Sequence, residues 1–286
     1  MSPAKKAITA GPFLKWSGGK RQIMPQLLQH VPETFGRYHE PFLGAGALFF
    51  VLEAAGRLDH GSFLRDSNKR LIRTWRAIQT DVEGVIKILD ELQTGYIEDT
   101  DPRDFFESVR DTSPDDESDA VIAAWMIFLN KTCFNGLYRV NRLNKFNVPH
   151  GKHKKMPTIC NAEGLRAVAA SLNYKTMISP GDYLTTLKMA TAGDFVYFDP
   201  PYAPVTKTAN FTGYTTDGFG PGDQRELRNV ALLLKKRGVH VLLSNSSAPI
   251  IDELYQGDFE IIKIQARRAI NSKGDGRGPV MEYIIK

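Results

Sequence analysis

The chain has 286 residues, 42% hydrophobic and 24% charged, with a formal net charge of +5. That length suits one large domain or a core domain carrying an inserted one, and the positive excess is compatible with an anionic partner such as nucleic acid. No stretch approaches the roughly 18 apolar residues that a membrane span needs. Cys133 and Cys160 form neither a CxxC pair nor part of a Cys/His cluster, so reduced thiols and no metal site are expected. Lys5 and Lys6 precede no apolar run, so no signal peptide is expected, and a soluble, cytoplasmic protein follows.

In chain order, residues 1–11 read as a short arm. Gly18-Gly19 then leads into Ile23, Leu27, Leu28 and Val31 at helical spacing, with Pro25 early enough to be tolerated. Short apolar runs ending in polar or Gly-rich turns recur near 38–43, 62–65, 175–179, 194–198, 238–244, 259–265 and 279–285. Helical patterns at 47–55 and 223–237 separate some of them. This alternation predicts an α/β fold with a mainly parallel sheet. The last two runs are joined by the helix-free stretch 271–278, which predicts a closing antiparallel hairpin. From 69 to 174 the pattern is mainly helical, including 69–92 and 119–131, with an acidic stretch at 98–119 read as a solvated linker and helix starts. The expected organisation is a catalytic domain from 1–68 and 175–286, with a helical domain at 69–174 inserted into it.

Phe42-Leu43-Gly44-Ala45-Gly46 follows the first strand and opens a helix, where glycines let the backbone turn tightly and approach a ligand. Tight turns use glycine routinely, so this pattern is weak alone. Asp66, 20 residues after Gly46, ends the second strand, where an acid can accept from ribose hydroxyls. The competing role for Asp66 is capping the helix that begins near Asn68. The spacing suits a nucleoside-type cofactor without separating NAD from S-adenosylmethionine. Phe49 in place of a third glycine leans away from a pyrophosphate.

The run 194–198 feeds into Asp199-Pro200-Pro201-Tyr202. Two prolines make a rigid turn that offers carbonyl acceptors and no N–H, and an ionised carboxylate is acceptor-only. Asp199 and the Pro200 carbonyl can hold both hydrogens of an exocyclic NH2 group, orienting its lone pair toward a methyl donor. Tyr202 offers a face for a base to stack on. A merely rigid turn, with Tyr202 as packing, is the blander possibility and suits the carboxyl end of an α/β strand less well. A base must leave the duplex to reach such a pocket, which predicts a basic surface. Arg139, Arg142, Lys145, Lys152, Lys154 and Lys155 fall within 17 residues with no acid between them, as phosphate contacts would require. Arg139 suits guanine O6 and N7, Asn135 a base edge, and Phe134 a wedge into the stack.

Assembled, these features resemble the Dam family of DNA adenine-N6 methyltransferases, which modify adenine in GATC. The resemblance covers nearly the whole chain and is carried by Phe13-Leu14-Lys15-Trp16-Ser17-Gly18-Gly19-Lys20, Glu40-Pro41-Phe42-Leu43-Gly44-Ala45-Gly46, Leu129-Asn130…Asn135-Gly136-Leu137, Lys145-Phe146-Asn147-Val148-Pro149, Asp199-Pro200-Pro201-Tyr202-Ala203-Pro204, Thr208-Ala209-Asn210-Phe211-Thr212 and Ser244-Asn245. It implies a seven-stranded Rossmann-like methyltransferase sheet with an inserted, mainly helical target-recognition domain bearing a basic hairpin near 139–155. It implies that Asp199, Pro200 and Tyr202 are catalytic. It assigns Trp16, Lys20, Phe42, Gly44, Gly46, Asp66, Asp182 and Asp199 to S-adenosyl-L-methionine. It assigns Lys15, Phe134, Asn135, Leu137, Arg139, Pro149 and Lys152 to double-stranded DNA. Phe134 stands where relatives often carry Tyr, and Lys152 and His153 where Arg and Tyr are familiar, which alters phosphate contacts but leaves the chemistry intact.

The function this implies is methyl transfer to adenine N6 in GATC after base flipping, by a monomer, in restriction-modification or a related DNA-marking role. An NAD-dependent oxidoreductase is allowed by the Gly-rich turn and Asp66 but leaves the proline pair and basic segment without a role. A non-catalytic DNA-binding module would use the basic segment while leaving the catalytic turn idle. An amino-methyltransferase acting on RNA or a protein amide would use the turn, since both substrates present an NH2 group, but would need the basic segment less.

Overall fold

The computed structural model describes residues 9–205, 218–267 and 279–286. Lys5, Lys6, the 208–212 motif and the 271–278 connection lie outside the described residues. The elements in order are α1 (Met24–Leu28), β1 (Tyr38–Glu40), α2 (Ala47–Ala54), β2 (Ser62–Asp66), α3 (Lys69–Thr80), α4 (Val82–Glu98), α5 (Pro102–Asp111), α6 (Asp119–Thr132), α7 (Ala162–Ser171), β3 (Thr176–Pro180), α8 (Thr186–Met189), β4 (Phe195–Phe198), α9 (Pro221–Lys236), β5 (His240–Ser246), α10 (Pro249–Tyr255), β6 (Ile261–Arg267) and β7 (Pro279–Ile285). Each of the seven apolar runs read from the sequence contains a strand. No helix among the described residues is long and apolar enough to cross a membrane.

The strands form one sheet in the order β3-β2-β1-β4-β5-β7-β6. The pairs β1–β2, β1–β4 and β4–β5 are parallel, and β7 runs antiparallel to both β5 and β6. This is the expected seven-stranded α/β sheet, closed by the expected antiparallel pair of β6 and β7. The central strands β1 and β4 are buried along their whole length; β4, Phe195–Phe198, therefore reads as a continuous apolar run, whereas β1 buries His39 and Glu40, which bond to Asp194 and Tyr38.

By its internal contacts the chain forms two compact units. One, from Gly18–Leu43, Leu58–Ser67 and Ser179–Lys286, has α9 and α10 packed on β4 and β5 through Val196, Phe198, Leu227, Val230, Leu243 and Ile251. The other, from Met1–Ser17, Gly44–Arg57 and Asn68–Ile178, is mainly helical. It includes α2, which lies outside the expected 69–174 insertion, because Phe49 and Phe50 pack on Trp75 of α3 and the Trp75 indole N–H donates to the Gly44 carbonyl.

Two helical details depart from the sequence reading. The pattern at 69–92 is two helices, since the Asp81 carboxylate accepts from the Gly84 N–H and caps α4 as α3 ends. The acidic stretch holds α5, with Asp101 as its cap and Pro102 in the first turn. Its Phe106 is buried.

At the start of the sheet, Asp194 is buried and receives the Arg37 guanidinium at 2.8 Å and His39 Nε2 at 3.2 Å. The carboxylate is acceptor-only, so His39 carries its proton on Nε2. Its Nδ1 is buried without a partner among the described residues. Burial lowers the His39 pKa to about 4, against the opposing pull of Asp194. Burial pushes the Asp194 carboxyl up, but hydrogen bonds from Arg37, Thr191 and His39 outweigh it and hold its pKa at about 2. Between pH 6.5 and 4 the unfolded His39 binds a proton that the folded one refuses, so stability falls on acidification across that window. Asp194 adds a further loss as pH falls from about 4 toward 2. Wild-type protein should therefore lose up to roughly 3 kcal/mol between pH 6.5 and 4, and His39→Gln should flatten that segment of the curve. Urea unfolding at stepped pH measures both, and an unchanged slope in the variant would locate the titrating group elsewhere.

Candidate catalytic and nucleic-acid-binding sites

Asp199 leaves the carboxyl end of β4 half-buried, with one oxygen engaged twice. Lys20 Nζ lies 2.7 Å from Asp199 Oδ1, and the Ser244 hydroxyl donates to the same oxygen at 2.9 Å. Ser244 Oγ is in turn 2.9 Å from the buried Tyr197 hydroxyl. No described residue donates to Oδ2. Burial raises the Asp199 carboxyl pKa, opposed by the charge and hydrogen bond of Lys20 and by the Ser244 hydroxyl. The Lys20 ammonium is itself buried, donates to the Gly18 carbonyl, and lies 4.7 Å from the centroid of the Tyr202 ring.

The turn after Asp199 is pinned on both sides. Gln224 Nε2 donates to the Pro201 carbonyl at 2.9 Å, and the Ala203 N–H donates to Asn245 Oδ1 at 3.0 Å. Asn245 Nδ2 also donates to Gln224 Oε1, closing the ring of contacts from β5 to α9. Proline carbonyls thus do the accepting in a turn with no N–H of its own at 200 and 201. The Tyr202 hydroxyl donates to Glu282 Oε2 at 3.0 Å. Ser244 and Asn245 carried the resemblance without a role. Gln224 and Glu282 lay in no motif, and nothing in their local sequence marks them.

In the same unit Phe42 is half-exposed and stacks on Tyr183, with centroids 5.5 Å apart and planes at 19°. Phe219 meets it edge-on at 5.8 Å. Tyr183 and Phe219 were not singled out from the sequence. Asp66 is the last residue of β2, and its carbonyl accepts from the Gly181 N–H. The N-cap of α3 is Asn68, whose Oδ1 accepts from the Leu71 N–H. Asp182 is exposed, and its Oδ1 accepts from the Leu184 N–H at 3.0 Å, capping a short 3-10 turn.

In the helical unit, Gly44 and Gly46 adopt φ of +48° and +64°, with Gly46 in the left-handed region at the start of α2. A Cβ on Gly44 would fall 2.7 Å from Cδ1 of Trp16. The Trp16 ring also stacks on Tyr138, with centroids 5.4 Å apart. Buried Asn130, at the end of α6, explains two of the sequence motifs at once. Its Oδ1 accepts from the Lys15 N–H, and its Nδ2 donates to the carbonyls of Lys15 and Gly136, all within 2.9 Å.

Asn130 thereby braces a loop in which Phe134 and Asn135 are exposed and Asn135 takes a left-handed φ of 56°. The Phe134 N–H donates to the Pro149 carbonyl, and Cys133 and His150 form an antiparallel bridge. Lys15, Phe134, Asn135, Pro149 and Lys152 line one cavity of about 580 Å³. Arg103 and Glu107 of α5 line it too, although the sequence reading assigned that stretch no function. Leu137 and Arg139 do not line it. Arg139 is exposed, and its Nε and Nη2 donate to the side chain and carbonyl of Asn147 at 2.7 and 3.0 Å. The remaining cations of the basic segment, Arg142, Lys145, Lys152, Lys154 and Lys155, are exposed. Burial pushes both cysteine thiols up to about 12, so neither supplies a thiolate near neutral pH, and no metal-ligating group of His, Cys, Asp or Glu occurs among the described residues.

Residues 16–270 match the family described as D12 class N6 adenine-specific DNA methyltransferase. The chain belongs to this family. It is 40% identical over 282 residues to the Type II methyltransferase M1.LlaDCHI of Lactococcus lactis subsp. cremoris, covering 98% of this chain and 96% of that protein. It is 38% identical to the Type II methyltransferase M.MjaIII of Methanocaldococcus jannaschii, covering 93% and 94%. It is 32% identical to the DNA adenine methylase of Vibrio cholerae, covering 95% and 94%. The chain is accordingly an adenine-specific DNA methyltransferase, an enzyme that uses S-adenosyl-L-methionine as methyl donor.

The Asn130 brace has a measurable consequence. Asn130→Ala removes one buried and two part-buried hydrogen bonds and leaves backbone groups of Lys15 and Gly136 without those partners, which should cost about 2–4 kcal/mol of folding stability. Denaturant unfolding of this variant against wild type checks it, and a loss below about 0.5 kcal/mol would show that the loop holds without the brace.

Proposed function

We propose that this enzyme methylates adenine N6 in duplex DNA, within GATC, after the target base has left the stack. The observation that carries the chemistry is the half-engaged carboxylate of Asp199: Oδ1 is taken by Lys20 and Ser244, and Oδ2 receives no bond from any described residue. Oδ2 and the Pro200 carbonyl supply two acceptors for the two hydrogens of the adenine amino group, holding its lone pair in line for attack. As the nitrogen gains positive character, the same acceptors stabilise it. Tyr202 offers its ring to the base. S-adenosyl-L-methionine, when bound, supplies an electrophilic methyl group on a cationic sulfur.

The residues fit that donor in kind. Asp66 ends a strand, a place where a carboxylate suits ribose hydroxyls. Phe42, stacked on Tyr183, offers an aromatic surface to the adenine moiety, and exposed Asp182 a carboxylate. Lys20 and Asp199, with Trp16 and the Gly44 and Gly46 turn, complete the set proposed for cofactor binding. Each unit's geometry supports its own residues in these roles, and the family resemblance supports their joint assignment.

The DNA-binding assignment extends to Lys15, Phe134, Asn135, Leu137, Arg139, Pro149 and Lys152. Five of these seven line a single cavity in the helical unit, which supports a recognition role for that unit. Exposed Phe134 on a braced loop suits a wedge between bases. Arg139 keeps Nη1 and the outward hydrogen of Nη2 for guanine O6 and N7, because Asn147 holds the other edge of the guanidinium. The Type II methyltransferase relatives support a restriction-modification role, and the DNA adenine methylase relatives support GATC as the target.

Incubation with labelled methyl donor and matched duplexes tests both levels. Label should enter a GATC duplex and not a scrambled one. Equal labelling of the two would overturn the GATC assignment, and no labelling of any adenine would overturn the reaction. Asp199→Ala should lower kcat by on the order of 10³-fold while DNA affinity stays within about threefold of wild type. A near-wild-type rate would remove Asp199 from the chemistry.

A further inference from the structure

Glu282 belongs to no motif that the sequence analysis singled out. It lies on β7, opposite Ser246 of β5 in the antiparallel register, and is half-buried. Its Oε2 accepts the Tyr202 hydroxyl at 3.0 Å across 80 residues of chain. Burial raises the Glu282 carboxyl pKa, while the nearby Lys20 charge and the Tyr202 hydrogen bond act against it.

The Tyr202 ring is therefore held at two places. Its hydroxyl is tied to Glu282, and its face meets the Lys20 ammonium 4.7 Å from the centroid. A cation over a ring restrains position weakly and tolerates tilt, because the ring quadrupole is broad. A hydrogen bond at the para position is directional: it anchors the far end of the ring's long axis and, because a phenolic O–H prefers to lie in the ring plane, a fixed acceptor also biases the plane about that axis. A base stacked on that ring inherits the plane, and its amino group can point at two fixed acceptors only if the plane is constant.

We propose that Glu282 is a positioning residue for methyl transfer: by accepting the Tyr202 hydroxyl it fixes the ring plane on which the target adenine is carried to Asp199. The inference rests on the reading of Tyr202 as the base platform. It assigns Glu282 no contact with the reacting atoms. Its effect passes through a hydrogen bond, so an uncharged acceptor of the same length should substitute for it.

The experiment compares Glu282→Ala, Glu282→Gln, Tyr202→Phe, Tyr202→Ala and the double variant Glu282→Ala/Tyr202→Phe in the full chain. Steady-state methylation of a GATC duplex is read alongside the fluorescence of a duplex carrying 2-aminopurine at the target adenine, which reports departure of the base from the stack. Glu282→Ala should lower kcat about 10- to 100-fold, the loss expected for one hydrogen bond to a charged group, with a smaller change in KM. Glu282→Gln should recover most of that rate. In the Tyr202→Phe background Glu282→Ala should cost nothing further, because the hydroxyl it serves is gone. Tyr202→Ala should diminish the 2-aminopurine signal. Equal impairment of Glu282→Gln and Glu282→Ala would overturn the inference, since the carboxylate would then act by its charge on Lys20. So would a full additional loss in the Tyr202→Phe background. An unchanged 2-aminopurine signal and rate in Tyr202→Ala would instead remove the base platform itself, and the inference with it.

Discussion

The buried ammonium of Lys20 sits 2.7 Å from Asp199 Oδ1 and faces the Tyr202 ring. Removing an ammonium from water is costly, and the cost is offset only where its hydrogens find acceptors. Here they find the Gly18 carbonyl and the Asp199 carboxylate. The converse matters more for the chemistry. Burial by itself drives Asp199 toward the protonated form, and a protonated carboxyl carries a hydrogen where an amino group needs an acceptor. Lys20 and Ser244 act in the opposite direction on Oδ1, which keeps the carboxylate an acceptor without occupying Oδ2. The rigid proline turn, the Gln224 and Asn245 contacts that pin it, and the tether of Tyr202 to Glu282 all serve a geometry that has meaning only while Asp199 stays ionised.

The sheet was legible in the sequence where a strand buried on both faces is an apolar run, as β4 is; β1 is buried but is Tyr38-His39-Glu40, and only the apolar Phe42 and Leu43 after it made that stretch stand out. The turn proposed as catalytic stood out because a proline pair at a strand end has few structural reasons to exist. Residues that work from a distance were not. Glu282 alternates with apolar neighbours on β7 and reads as an ordinary solvent-facing strand residue, and only the β5–β7 register and the Tyr202 contact give it a role. Gln224 lies in an amphipathic helix where a glutamine excites no attention, although it is buried and holds the Pro201 carbonyl. Asn130 stood inside a motif, but its function as a backbone brace depends on Lys15, 115 residues away. The body of α5 was missed because its acids were weighed as charge, although helix starts were expected in that stretch and Asp101 followed by Pro102 is one.

Rigidity on the recognition side comes from a similar economy of buried polar groups. Phe134 exposes 48% of its surface, yet the backbone around it is tied to Pro149, Gly136 and, through Asn130, Lys15. An exposed aromatic on a loose loop loses much of its binding contribution to ordering, whereas one on a braced loop does not. The burial of Asn130 is therefore intelligible as the cost of presenting Phe134 and Asn135 in a constant attitude, with Asn135 held in a left-handed conformation that few side chains adopt readily.

On the proposed assignment, Arg139 separates specificity from chemistry in the same chain. Its guanidinium is exposed and paired with no acid among the described residues; it is held edge-on by Asn147, a neutral partner. A carboxylate in the same position would neutralise the charge and compete with a base for the fork. An amide orients the fork while leaving the full positive charge to act on the phosphate field and on guanine acceptors. The reader is thus preorganised without being satisfied. The same logic governs Asp199, where one oxygen is fixed by Lys20 and Ser244 and the other is left for the substrate. In both places the protein commits one edge of a planar charged group to itself, and that is the condition for the other edge to be both oriented and free.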